Sequence, residues 1–173
     1  MKDYILKNGL VLGAVYIVLS SIAYSIGVSF TLSTAWSIVQ FVVPIAILIY
    51  MLVFYKKMMG GFINFNHSFI LVFGLIASSS FIHMVFNIIL YNYIDPNFSI
   101  LLQEATIEKS IELMQGFASE SAMEEMITAL ENQDSFSPRS LASAFGYGLV
   151  LNAILSLIIA AFFKKDAPIE NLD

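Results

Sequence analysis

The stretch Asn8–Tyr55 reads NGLVLGAVYIVLSSIAYSIGVSFTLSTAWSIVQFVVPIAILIYMLVFY and contains no Asp, Glu, Lys or Arg. One helical pass through hydrocarbon takes about 20 apolar residues, so the run is long enough for two. The polar sequence Ser29-Phe30-Thr31-Leu32-Ser33-Thr34 divides it. This predicts a first helix near Gly9–Phe30 and a second near Ala35–Tyr55, with Lys56, Lys57, Gly60 and Gly61 forming the turn that follows. A secretory leader is the competing reading, since Lys2 and Lys7 precede an apolar run. That run is too long for a leader's apolar core, and it reads as a true span.

Two further apolar segments extend the pattern. A third span is expected from about Phe69 to Tyr93, stopped at Asp95-Pro96. A fourth begins after Ser137-Pro138, with serine capping and proline at the first helical position, and runs to Phe163. Composition agrees. Apolar residues make up 58% of the 173, charged residues 12%, and mean hydropathy is +0.82, against about 25% charged residues in ordinary globular domains. The expected fold is an all-α membrane protein, one four-helix membrane domain over 1–173 with a helical hairpin insert between helices three and four.

Lys2 and Lys7 precede the first span, Lys56 and Lys57 follow the second, and Lys164 and Lys165 follow the fourth. In an even-numbered bundle all three groups fall on one side, which the positive-inside rule makes cytoplasmic. Both termini are therefore expected in the cytoplasm of a bacterial inner membrane. Trp36 and Tyr93 are expected at the outer interface, Tyr4 and Tyr55 at the inner one.

The insert, 95–139, is expected to be periplasmic. It carries nine acidic residues and two basic ones, a balance of −7. Its first helix is predicted over about Phe98–Gln115. A second opens on the capping box Ser121-Ala-Met-Glu124, and its Met123, Met126, Ile127 and Leu130 recur at helical spacing as a candidate partner surface. Glu104, Glu108 and Glu112 share one face. Without an Asp-rich loop and its glycine turn they read as a solvated surface and not as a calcium site.

Polar groups within spans are where function is sought in a membrane protein. Ser79, His83, Asn87 and Tyr91 lie four apart on the third span, a stripe on one helix face. On the fourth span Ala144, Gly148, Asn152, Ser156 and Ala160 repeat the interval, a ridge of small residues suited to close helix approach. A polar path between helices three and four, lined by the stripe with Asn152 and Ser156, is one reading, with His83 able to carry a proton. Hydrogen bonding across packed helices is the other. Gly9 and Gly13 on the first span, with Gly148, are the candidate helix-packing positions. Gln40 and Pro44 punctuate the second span.

Recognisable catalytic chemistry is missing. There is no cysteine, no acid in the spans to orient His83 in a triad, and no spacing for a phosphate cradle. A basic patch for nucleic acid is also lacking. The chain is expected to be no enzyme and to use no cofactor or metal. Its expected partners are membrane lipids and either a second copy of itself or another membrane protein. The leading functional expectation is an accessory or scaffolding subunit, and the alternative is a small transporter or lipid-handling protein using the polar stripe.

The order of Lys56-Lys57, Gly60-Gly61-Phe-Ile-Asn-Phe65, Ile94-Asp95-Pro96, an acidic helical insert and a terminal Phe163-Lys164-Lys165 resembles a bacterial membrane family, domain of unknown function 4199. Members often enter the third helix through a Phe-Gly-Gln-Ala-Phe-Lys type stretch, where this chain reads Phe65-Asn66-His67-Ser68-Phe69-Ile70. The resemblance implies a plasma-membrane protein of a Gram-negative cell with its insert in the periplasm, and it implies no activity.

Overall fold

A computed structural model describes residues 1–114, 126–130 and 134–166. The chain is an all-α membrane protein, and among the described residues four helices are long and apolar enough to cross a bilayer. The first, α1 (Lys2–Ile26), begins earlier than expected because Lys2, Asp3 and Lys7 ride on it. A helix leaving hydrocarbon need not stop at its first charge. It ends at Gly27, whose φ of 122° suits glycine and strains other residues. A single turn, α2 (Val28–Thr31), follows. Thr31 Oγ1 donates back to the carbonyls of Ala23 and Gly27, satisfying the freed end of α1.

Ser33 then caps α3 (Thr34–Met58), accepting from the Trp36 amide at 3.3 Å. Pro44 sits inside α3 and is buried. Gly60 and Gly61, at φ 76° and 87°, turn the chain, and Asn64 caps α4 (Phe65–Ile89). That span continues as a π-helical turn, Leu90–Ile94, closed by Asp95 N–H donating to the Leu90 carbonyl at 2.9 Å. Asp95 caps α5 (Pro96–Met114), accepting from Phe98 N–H at 3.0 Å. Helical residues 126–130 (α6) follow. Ser137 then caps α7 (Pro138–Phe163), with Pro138 in the first turn.

The central element is α4, which packs on α1, α3 and α7. Apart from Ser68, which is fully buried, its buried residues nearest the lysine-bearing end are apolar. Leu71, Val72 and Leu75 are fully buried there with Leu12 of α1 and Leu48, Met51 and Leu52 of α3. The lysine-bearing ends meet at that end of the bundle. Tyr4 Oη donates to the Met51 carbonyl at 2.7 Å and its ring stands edge-on to Tyr55. Lys56 Nζ donates to the Phe163 carbonyl at 2.7 Å, filling an orphan acceptor of α7. An antiparallel bridge joins Ile63 and Lys165, and Lys165 lies over the Phe62 ring.

Large apolar side chains such as Phe41, Tyr50, Phe81, Leu151 and Phe162 point outward. That surface would be a liability in water and is ordinary against lipid chains. At the other end of the bundle, Lys109 of α5 donates to the Leu32 carbonyl, and Gln103 donates to the Leu130 carbonyl at 3.3 Å. Met123 and the capping box at 121–124 lie outside the described residues.

Candidate functional site

Three residues of the expected stripe, His83, Asn87 and Tyr91, border a cavity with Ser20 and Ala23 of α1, Gln40 of α3 and Phe98 of α5. The expected path between helices three and four is corrected at these positions, which share their space with α1 and with no described residue of α7. His83 Nε2 lies 2.7 Å from Ser20 Oγ of α1 and 3.3 Å from the Asn87 amide nitrogen. Its ring stacks on Tyr16 at 5.2 Å. These contacts join α1 to α4 where apolar packing gives out.

Around them is a cavity of about 210 Å³, bounded by Ser20, Thr31, Gln40, His83, Asn87 and Tyr91, with Ala23 in one wall. Tyr24 and Phe98 complete the lining, their rings edge-on at 4.9 Å. Tyr24 Oη donates to Asp95 Oδ2 at 3.0 Å. The same carboxylate caps α5 through its other oxygen, so one acid ties α1 to α5 beside the cavity. Asn87 Oδ1 is buried without a hydrogen-bond partner, an unusual condition for a buried amide.

The remaining sequence candidates separate. Ser79 belongs to the stripe by spacing but is buried against its own helix, donating to the Ile76 carbonyl. Ser156 of α7 is fully buried and donates to the Asn152 carbonyl at 2.6 Å. Neither Ser156 nor Asn152 borders the cavity.

Gly9 and Gly13 lie in the α1–α4 seam. A β-carbon on Gly9 would stand 2.6 Å from Ser78 Cβ, and one on Gly13 would stand 2.9 Å from Ile82. Gly74 of α4 answers them against Ile5, at 2.9 Å. These glycines are occupied within the chain and are not free for a partner. Gly148 differs, because a β-carbon there meets nothing within 4 Å. The ridge on α7 is thus used at Ser156 and Ala160, both fully buried, while Gly148 faces open space and Ala144 is exposed.

Met126 and Ile127 are half-buried. Leu130 borders a small cleft with Thr106, Ile107 and Phe136, so it turns toward α5 of its own chain. Glu104, Glu108 and Glu112 are exposed, and among the described residues no three His, Asp or Glu are grouped to hold a metal ion.

Ser20 and His83 stand at nucleophile–base distance. The base of such a pair is oriented by a third group, whereas here Nε2 is shared with Asn87. Among the described residues no carboxylate bonds to the ring. Sequence reasoning missed Ser20, Tyr24 and Thr31 as members of the site. Ser20 sits one helical turn from Tyr16 and from Tyr24, a polar–aromatic face visible in the sequence once α1 is known to carry the partner surface.

In comparison with known proteins, the model of a family described as "Protein of unknown function (DUF4199)" matches residues 7–165. No curated protein and no solved structure matches the chain.

Proposed function

Since the chain belongs to the DUF4199 family, whose description assigns no activity, we propose from its own geometry that it is a non-catalytic accessory or scaffolding protein of the bacterial inner membrane. It docks through α7 onto a second copy or another membrane protein. Its termini lie in the cytoplasm and 95–139 lies in the periplasm. The orientation rests on the convergence of Lys56, Lys165 and the α1 N-terminus at one end of the bundle, because basic ends are retained on the cytoplasmic side.

One observation carries the docking role. Only the C-terminal half of the α7 ridge is filled by α4, while Ala144 and Gly148 present a small-residue surface with open space before it. Without a hydrophobic drive between helices in lipid, such close-approach surfaces are where spans associate. The test is native mass measurement of gently solubilised wild-type and Gly148→Leu protein. An assembly in the wild type, lost in the variant while the monomer's thermal unfolding is unchanged, is the expected result. Monomers alone from native membranes, with no partner recovered, contradict the docking role.

A second reading, lipid or small-solute handling, draws on the cavity beside His83. It differs from the expected path in lying between α4 and α1.

A further inference from the structure

We propose that the cavity bounded by α1, α2, α3, α4 and α5 is a binding site for one small uncharged molecule bearing several hydroxyl groups, arriving either free or as the headgroup of a lipid. This site is separate from the docking face of α7, no described residue of which borders the cavity.

Size is the first argument. At about 210 Å³ the space exceeds the roughly 150 Å³ of an apolar protein cavity that accepts benzene. It therefore holds an organic molecule of comparable or somewhat greater bulk. The lining supplies the second. A dry cavity is walled by aliphatic groups, whereas this one has two hydroxyls, two carboxamides and an imidazole on its walls, from Ser20, Thr31, Gln40, Asn87 and His83. They come from four different elements. Polar groups converging from separate elements beside aromatic rings are what orients a ligand in a pocket.

Charge selects the class. Among the described residues no Asp, Glu, Lys or Arg lines the cavity. The nearby Asp95 already accepts from Tyr24 and Phe98 N–H. An ion placed inside would be desolvated with no counter-charge, a cost that unpaired buried charges rarely overcome. Hydroxyl groups both donate and accept, which matches a wall offering both functions. Asn87 adds a specific anchor. Its Oδ1 is buried without a partner, and whichever end of the amide meets the His83 ring, the other end is left unpaired. A ligand hydroxyl satisfies either one. The rings of Tyr24, Tyr91 and Phe98 close the apolar side.

The chain has no cysteine, so a single introduced thiol reports on the site. Ala23→Cys, with Thr31→Cys as a second position should the first fail to fold, is placed in nanodiscs and its labelling by N-ethylmaleimide is timed. In phosphatidylcholine discs glycerol is the free probe, and glycine betaine at equal osmolality is the charged control. Discs containing phosphatidylglycerol present the same polyol as a headgroup. The proposal expects labelling slowed several-fold by glycerol but not by betaine, or by phosphatidylglycerol, with that protection lost on Asn87→Leu or Gln40→Leu. Slowing by free glycerol alone assigns a soluble ligand, and slowing by phosphatidylglycerol alone assigns a lipid headgroup. A thiol that does not react at either position, a rate unaffected in both arms, protection by betaine as strong as by glycerol, or protection that survives both leucine variants overturns it.

Discussion

Gly9→Ala is the sharpest perturbation of the bundle. The added methyl would stand 2.6 Å from Ser78 Cβ, whereas carbon atoms rest at about 3.5–4.0 Å. Neither partner is the far end of a flexible side chain, so α1 and α4 must move apart by roughly 1 Å. That loosens the same seam at Gly13 against Ile82 and at Gly74 against Ile5. Overpacking of this kind costs about 1–3 kcal/mol. Gly148→Ala is the matched control. In the monomer its methyl meets nothing within 4 Å, so with the protein diluted to monomers the change should stay within about 0.5 kcal/mol. The assay is reversible unfolding in mixed micelles of increasing denaturing-detergent fraction. Gly9→Ala and Gly13→Ala should each lower the midpoint while Gly148→Ala leaves it in place. The double variant should cost less than the sum, because helices already spread admit the second methyl cheaply. Equal effects at positions 9 and 148, or none at 9 and 13, would refute the seam as described.

Removing the carboxylate of Asp95 should loosen the start of α5 without disturbing the apolar core of the bundle. Asp95→Ala deletes both the α5 cap and the bond from Tyr24, at a cost of about 0.5–2 kcal/mol for the cap. Hydrogen exchange should quicken at Phe98–Leu102 and stay slow at Leu71–Ile76; equal quickening in both segments would count against it. The Ser20–His83 contact is expected to serve packing and binding only. A serine-reactive fluorophosphonate should leave Ser20 unmodified, and Ser20→Ala should cost about 0.6 kcal/mol, typical of interhelical hydrogen bonds in membranes. Modification of Ser20 that disappears in Ser20→Ala would overturn the non-catalytic reading.

The four spans were legible because hydrocarbon thickness imposes a length and excludes charge, and both are visible between Lys7 and Lys56. The start of α7 was legible to the residue, since Ser137-Pro138 combines a side-chain acceptor with a fixed φ. The neighbours of the polar stripe were not legible. A spacing of four puts His83 and Asn87 on one face of α4 but does not say whether α1 or α7 covers it, which depends on packing around the whole helix. The glycines make the same point. Gly9, Gly13 and Gly148 look alike as small residues at helical spacing, yet two are pressed against α4 and the third faces open space. The π turn at Leu90–Ile94 left no sequence signal beyond the Asp95-Pro96 stop. The cavity draws on five elements and emerges only when they are assembled.

The lysine-bearing ends of the four-span bundle are proposed to lie together on the cytoplasmic side. Two single-cysteine variants of this cysteine-free chain test it: Lys57→Cys at the end of α3 and Asp134→Cys before α7. In intact cells whose outer membrane is opened but whose inner membrane is sealed, an impermeant thiol reagent should label position 134 at once. Position 57 should be labelled only after the inner membrane is breached. Labelling of both positions in sealed cells, or of position 57 alone, would contradict the account.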